Sequence, residues 1–369
     1  MCFFVWLFQK KAVSLHLEMK AHRLIGILLL LAGLSGLQAK DSKDSLSIGR
    51  KGWFTYAPYG KSLLSDVHPN FVRFEVVALT NHPVYDFAHT GQAYRPSTQG
   101  CFGMDLPVWN GDFGTEKQFG LSITLSASAY LWMDLFEHQT SPIVNTDYRI
   151  AMPTHTFIHR LRRSFVKNYS IAWAPFKHES THVGDELQIQ RVEEGYATRR
   201  VNVSYNYTEL VFTLNEPEDR SEQCHTFRAG LMVLWAPKKG WYSIKESAGD
   251  GDASLAHPTL SPFEVYFQYQ YQTPTSRHGI QGVVSAEIRN RAVYGYDLTL
   301  KKGDADTSRA DYRRFTYNVF VGMRYNIPGY DGYFSRFAIG ARLYHGNCPF
   351  GHYRSIDNYS QAGIALVFQ

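Results

Sequence analysis

The clearest pattern in the chain is an alternation of apolar and polar residues over Phe119–Leu135, "FGLSITLSASAYLWMDL". Successive side chains of a strand point to opposite faces, so this period of two predicts one long β-strand. The run is longer than most strands of soluble sheets. Its length fits a tilted strand that crosses a membrane with one face on lipid and the other on a polar lumen. An edge strand of a soluble β-sandwich is the alternative.

The same alternation recurs along the chain and predicts an all-β fold, an antiparallel transmembrane β-barrel of about 12 strands, within two either way. Turn signals such as "NEPEDR", "KKGDAD" and "PGYDGY" separate several of these runs. The polar stretch at 82–118 contains glycine and proline and is predicted to be a long loop that acts as a lid or plug. The other predicted strands are 71–80, 147–160, 165–180, 199–214, 227–236, 262–272, 279–289, 292–301, 313–326, 333–345 and 360–369, with 240–247 as a further candidate.

The N-terminal region has the pattern of a secretory signal peptide. Residues 20–39, "KAHRLIGILLLLAGLSGLQA", have basic residues, then an apolar run, then small residues. We therefore predict a signal peptide over 1–39, with Met19 as the true start, and a single barrel domain over 40–369. Export predicts the bacterial outer membrane, with the barrel assembly machinery as a partner. No apolar run of transmembrane-helix length follows Ala39, which excludes a helical membrane protein.

Composition supports this class and narrows the possible partners. The chain has 24 Tyr, 24 Phe and 7 Trp, as expected for aromatic girdles at membrane interfaces. Its 38 basic and 33 acidic residues are nearly balanced and no basic cluster stands out, so nucleic acid is not a predicted partner. Three cysteines follow the signal peptide, Cys101, Cys224 and Cys348. One pair could form a disulfide after export, but the sequence does not select it.

The densest group of chemically active residues is "FKHESTHVGDE", residues 176–186. On a strand, His178, Ser180 and His182 share one face. A serine hydroxyl becomes a strong nucleophile when a base accepts its proton, and we predict His178 as that base, with His182 as the alternative. A carboxylate would orient the imidazole. The candidates are Asp185 and Glu186, which follow Gly184, and also Glu179 and, on the preceding strand, Asp147.

The same residues allow other chemistry. Asp185 and Glu186 could hold Ca²⁺, which takes oxygen ligands and would polarise an ester carbonyl or activate water. Zinc between His178 and His182 is disfavoured because residues four apart on a strand are about 13 Å apart. A third reading is a hydrogen-bonded polar group that only braces the strand or the 82–118 loop.

The direction in which this strand faces decides where such a site opens. Tyr169, Ile171 and Trp173 are predicted to face lipid. Regular alternation would then place His178 and Ser180 on the lumen side, unless a bulge at Pro175 reverses the pattern.

Three segments carry a resemblance to a known family: "APYGKSLLSDVHPNFVRFE" (57–75), "NTDYRIAMP" (145–153) and "FKHESTHVGDE" (176–186). In this order and spacing they resemble a family of bacterial outer-membrane barrels of unknown function with an H-x-S-S-H-x-G-D-E block. Thr181 replaces the second serine of that block, which leaves Ser180 as the candidate nucleophile.

The His178-x-Ser180 element also looks similar to the H-x-S-N element of outer-membrane phospholipase A and of the lipid A 3-O-deacylase. Those families use a histidine and a serine of the barrel wall, with an asparagine or a glutamate, to cleave acyl esters of outer-leaflet lipids. A second lipid A deacylase family uses a histidine with Ca²⁺. This chain has His182 where the H-x-S-N enzymes have other residues.

The resemblance implies a carboxylic-ester hydrolase that removes a fatty acyl chain from lipid A, with an outer-leaflet glycolipid as substrate and Ca²⁺ as the candidate cofactor. A phospholipase and a non-enzymatic barrel, either a channel or a scaffold, are the alternatives.

Overall fold

The computed structural model describes residues 52–54, 60–79, 95–114, 117–133, 143–161, 166–183, 199–216, 222–235, 242–246, 253–254, 263–295, 309–327, 334–351 and 359–369. The predicted signal peptide and the predicted site residues Asp185 and Glu186 lie outside them. Within these ranges no helix is long and apolar enough to cross a membrane.

Twelve long strands form a closed antiparallel barrel, β2 to β8 and β11 to β15. Each pairs with the next in sequence; β8 pairs with β11, and β15 pairs with β2 to close the wall. Three short strands lie outside the barrel order: β1 pairs with β3, β9 with β7, and β10 with β9. The strands are β1 Gly52–Trp53, β2 Val72–Leu79, β3 Arg95–Phe113, β4 Phe119–Met133, β5 Ile143–Arg160, β6 Asn168–Val183, β7 Arg199–Leu214, β8 Cys224–Leu234, β9 Tyr242–Glu246, β10 Ala253–Ser254, β11 Phe263–Gln272, β12 Ile280–Gly295, β13 Arg309–Asn326, β14 Arg336–Gly346 and β15 Tyr359–Phe368.

The barrel is apolar outside and polar inside. On β2, Phe74 and Val76 are exposed on the outer wall, whereas Arg73 and Glu75 between them are buried in the lumen. In the lumen the Glu75 carboxylate accepts two hydrogen bonds from Arg342 Nη1, at 2.9 and 2.7 Å. An outer wall of this kind requires lipid around it, because water would leave many large apolar side chains exposed. The chain is therefore an outer-membrane β-barrel, located in the bacterial outer membrane.

The segment 60–71, which precedes β2, forms a plug inside the barrel. Its residues Leu63, Leu64, Ser65 and Val67 are buried. The Ser65 backbone N–H donates to Ser285 Oγ at 3.1 Å, and the Ser65 carbonyl accepts from Asn318 Nδ2 at 2.5 Å. On the other side of the lumen, Tyr130 donates its hydroxyl to the Pro69 carbonyl at 2.8 Å. The plug is thus hydrogen-bonded to strands from several sides of the wall.

A second segment, 347–351, folds inward from the connection after β14. Asn347, Cys348 and Phe350 are buried, and the Phe350 ring stacks on Trp132 with 5.2 Å between centroids. Arg291 donates to the carbonyls of Cys348 and Pro349. Together with the plug, this segment fills a large part of the lumen.

The predicted number of barrel strands is confirmed, but only because one strand was missed and another was predicted as two. The stretch 82–118 is not one loop, because Arg95–Phe113 is strand β3 of the wall. The predicted strands 279–289 and 292–301 are instead one strand, β12, which ends at Gly295. The 240–247 candidate contains the short strand β9, which lies outside the barrel order.

Strand β3 escaped prediction because small residues and prolines interrupt its alternation. Gly103 illustrates the cause: a Cβ there would lie 2.8 Å from the Cα of Asn70 in the plug, so a larger side chain does not fit. The possible disulfide is not formed, since Cys101, Cys224 and Cys348 are all free.

Candidate outer-wall hydrolase site

A β-bulge in β6 determines where the predicted site residues face. Ala174 pairs with Glu209 of β7 and Lys177 pairs with Tyr207, so β6 has one residue more than β7 over this interval. The extra residue falls at Pro175–Phe176, where proline has no N–H to donate to the ladder. Before the bulge, odd-numbered Ile171 and Trp173 face outward, and after it the even-numbered residues do.

His178 and Ser180 therefore lie on the outer wall. Between them, Glu179 points into the lumen and is only 3% exposed. The expectation of a lumen-facing pair holds only for a regular strand, and the bulge at Pro175 reverses it. Both residues lie near the end of β6 at Val183. Connections at this end of the barrel (80–94, 184–198 and 235–262) are longer than those at the other end (114–118, 161–167 and 273–279), as is typical of the extracellular side.

His178 is hydrogen-bonded to a residue that the sequence analysis did not select. Its Nδ1 atom lies 2.7 Å from Oδ1 of Asn206, the directly paired residue on β7. An amide oxygen only accepts hydrogen bonds, so this contact selects the tautomer with the proton on Nδ1. The Nε2 atom then carries a free lone pair. Asn206 thus orients the ring and leaves its other nitrogen able to act as a base.

Ser180 is two residues from His178 on the same face, which places their Cα atoms roughly 7 Å apart. At this spacing a suitable pair of rotamers brings the hydroxyl to the imidazole, and such contacts commonly tighten when substrate binds. Ser180 is flanked by Ser204 of β7 and Tyr148 of β5, its paired residues on either side.

Among the other predicted residues that the structure describes, His182 lies on the same outer face two residues beyond Ser180, whereas the two carboxylates do not join the pair. His182 is exposed and contacts Tyr148 edge to face, with 5.6 Å between ring centroids. Glu179 and Asp147 are buried on the lumen side, so the wall separates both carboxylates from the His178 ring. Asp185 and Glu186, predicted as the orienting acid or Ca²⁺ ligands, lie outside the described residues. Asn206 takes the position in which the sequence analysis expected an acid.

The surface around the pair is apolar toward the middle of the barrel. Ile150 and Met152 of β5 are 52% and 51% exposed on the outer wall. On the β7 side, Phe176 packs against Trp235 with ring centroids 5.5 Å apart. The polar group of His178, Ser180 and Asn206 is thus bordered by side chains on which an acyl chain can lie.

The sequence contains an indication that Asn206 is unusual, but its position beside His178 can be recognised only from the pairing of the strands. In "VNVSYNYTELVF" of β7, Tyr205, Tyr207 and Glu209 face the lumen, which puts Asn206 on the lipid side. A polar amide on the lipid side is unusual. Only the pairing of β6 with β7 shows that it lies beside His178.

The solved structures to which this chain is similar include outer-membrane barrels, all at low sequence identity. No protein-family model matches the sequence, and no curated protein matches it. The outer-membrane phospholipase from Salmonella typhi, solved as a dimer with bound calcium, is 11% identical over 82% of this chain and 91% of its own, with a TM-score of 0.41. An active-site mutant of outer-membrane phospholipase A from Escherichia coli is 10% identical over 90% and 95%, with a TM-score of 0.44. The translocator domain of the autotransporter NalP from Neisseria meningitidis is 10% identical over 80% and 86%, with a TM-score of 0.39.

Proposed function

We propose that this protein is an acyl-ester hydrolase of the outer membrane that removes a fatty acyl chain from lipid A in the outer leaflet. The observation that carries the proposal is the arrangement of Ser180, His178 and Asn206 on the lipid-facing wall. A nucleophile, a base and a group that orients the base are the parts that serine hydrolysis needs.

The proposed reaction begins with Ser180 Oγ attacking the ester carbonyl while His178 Nε2 takes the hydroxyl proton. The tetrahedral intermediate then expels the alcohol, which leaves with the proton from His178, and the acyl chain stays on Ser180. Water attacks the acyl-enzyme with His178 again as the base, and the fatty acid is released. Asn206 Oδ1 accepts a hydrogen bond from Nδ1–H throughout, so the ring keeps its tautomer and its direction.

The position of the site supports a membrane lipid as substrate. A lipid in the outer leaflet reaches the outer wall by lateral diffusion, without entering the filled lumen. Its acyl chains would lie over Ile150 and Met152, and its head group would lie toward His182 and the longer connections. We prefer lipid A because it is the glycolipid of that leaflet; a phospholipid is the alternative substrate. In this proposal Asp185 and Glu186 are possible Ca²⁺ ligands.

The non-enzymatic alternative, a channel or scaffold, has less support. The 60–71 plug and the 347–351 segment obstruct the lumen, which disfavours an open channel. A purely structural role does not require an imidazole, a serine hydroxyl and an amide to lie together on the lipid side.

The test is a comparison of wild type with Ser180→Ala. Purified protein in detergent is incubated with lipid A and, separately, with phospholipid vesicles, and the products are followed by mass spectrometry. We expect Ser180→Ala to lower the rate by roughly 1,000-fold or more, because the nucleophile is lost. Ser204→Ala is the matched control, since it removes a neighbouring outward hydroxyl and should retain activity.

The outcomes separate the candidates. Loss of acyl chains from lipid A with wild type, abolished by Ser180→Ala, supports the proposal. Cleavage of phospholipid alone would replace the proposed substrate, and equal rates for wild type and Ser180→Ala would reject the nucleophile. Asp185→Asn and Glu186→Gln, assayed with and without added Ca²⁺, test the calcium ligands.

A further inference from the structure

A cluster of three potential metal ligands lies inside the barrel, directly behind the outer-wall site. It consists of His68 from the plug, Asp147 from β5 and Glu179 from β6, all buried. One ligand atom of each lies within 4.8 Å of the others. The three residues come from separate parts of the chain, so the fold brings them together.

Two atoms of these side chains that can bind a metal are buried without a hydrogen-bond partner. These are His68 Nδ1 and Glu179 Oε1, on side chains that are 7% and 3% exposed as residues. Each is an acceptor when the imidazole is neutral and the carboxylate is ionised. Native proteins seldom leave buried polar atoms unpaired, and an ion or a water is a common explanation where they do. The two atoms therefore point to a missing ligand.

Charged groups of both signs lie in and around the cluster. Arg149 Nη2 donates to Glu179 Oε2 at 2.7 Å and so compensates that carboxylate. Asp147 has no ion-pair partner within the described part of the chain. A buried carboxylate is costly unless it is paired or coordinates a metal. Arg291, which donates to the Pro349 carbonyl that His68 also bonds, supplies a second positive charge nearby, so it is the arrangement of the three side chains that favours a metal.

Each of the three side chains is also held by an outer partner, as ligands of metal sites usually are. His68 Nε2 donates to the Pro349 carbonyl at 3.1 Å, which leaves Nδ1 as the nitrogen that can bind a metal. Asp147 accepts hydrogen bonds from Asn145 Nδ2 at 2.8 Å and from the Gly351 N–H at 3.0 Å.

We propose that His68, Asp147 and Glu179 bind one divalent transition-metal ion that fastens the plug to strands β5 and β6. A nitrogen ligand with two carboxylates suits Zn²⁺ or Mn²⁺, whereas Ca²⁺ takes oxygen ligands. Water completes the coordination. The site is distinct from the predicted Ca²⁺ ligands Asp185 and Glu186.

Metal content tests the proposal without any assay of hydrolysis. Purified full-length protein in detergent is stripped with a chelator, incubated with Zn²⁺ or Mn²⁺, passed through gel filtration and analysed for metal. Wild type should retain about one ion per chain. His68→Ala and Glu179→Gln should each lose most of it. Glu287→Gln is the matched control, because Glu287 is another buried lumen carboxylate with its own partners, Gln268 and Arg289, and it should bind as wild type does.

A variant that fails to fold would also lose its metal, so the folding of each variant is checked first. A folded barrel migrates faster than the unfolded chain on a gel when the detergent sample is not heated. Asp147→Asn, which is nearly the same size, is the second test should His68→Ala not fold. In wild type the metal should raise the temperature at which this mobility is lost, and the shift should vanish in Asp147→Asn. The proposal is overturned if wild type retains no more metal than His68→Ala or Asp147→Asn does; the cluster then holds water or a proton. A failed metal site leaves the proposed hydrolysis untouched, because that depends on Ser180, His178 and Asn206.

Discussion

At the scale of single residues, the unusual feature is an amide where many serine hydrolases have a carboxylate. Asn206 fixes the tautomer of His178 through the 2.7 Å contact with Nδ1. It adds no negative charge to stabilise the imidazolium that forms during the reaction. On a wall surrounded by lipid, an unpaired carboxylate would itself be costly. The amide therefore orients the base without placing a charge in apolar surroundings.

Removing Asn206 should mainly lower turnover. In Asn206→Ala the ring of His178 loses its fixed direction and its tautomer, so we expect kcat to fall by roughly 10- to 1,000-fold while KM changes little. Asn206→Asp should retain activity, because a carboxylate also accepts a hydrogen bond from Nδ1–H. Steady-state kinetics check both, and an unchanged kcat in Asn206→Ala would contradict this role.

At the scale of elements, the bulge in β6 determines which of its side chains face lipid. It lets Ile171 and Trp173 face lipid on one side of Pro175, and lets His178 and Ser180 face lipid on the other. The proline is visible in the sequence and allows a bulge at this position, although regular alternation is the expectation. Its effect on pairing is not visible, since a bulge is defined by the number of residues on the partner strand.

The reversed alternation can be measured with nitroxide labels. In a Cys224→Ser background, labels are attached to Ser180→Cys, Thr181→Cys and Trp173→Cys, in vesicles. Oxygen, which concentrates in lipid, should collide freely with labels at 180 and 173 and little with the label at 181. The odd-numbered 173 and the even-numbered 180 would then share a face. A protected label at 180 with an accessible one at 181 would show that the strand continues without a bulge.

The whole barrel shows which levels of structure were predictable. Period-two alternation predicts a barrel because each strand has one lipid face and one lumen face. It fails for β3, where Gly103 lies against the plug, and for β12, where two predicted strands are one. His178 and Ser180 could be recognised in the sequence, because a histidine and a serine two residues apart on a strand are suited to hydrolysis. Asn206 did not, because its place beside His178 depends on cross-strand register.

A filled lumen predicts that the protein does not conduct. The plug is hydrogen-bonded to β4, β5, β12 and β13 by Tyr130, Arg149, Ser285 and Asn318. In planar bilayers, wild type should show no steady open-pore current where a porin of similar size does. As a control, the gel mobility or the lipid hydrolysis of the same preparation shows that folded protein is present. A stable, large conductance would contradict the filled lumen and favour the channel alternative.

The plug also has a consequence for how the protein is made. Residues 60–71 come directly before β2 in the chain, and β2 is the strand to which β15 pairs when the wall closes. Because the plug precedes β2 and contacts strands on opposite sides of the lumen, strands added after β2 can form their contacts with it one by one. We therefore expect the barrel to assemble around the plug, so that the interior is filled before β15 pairs with β2.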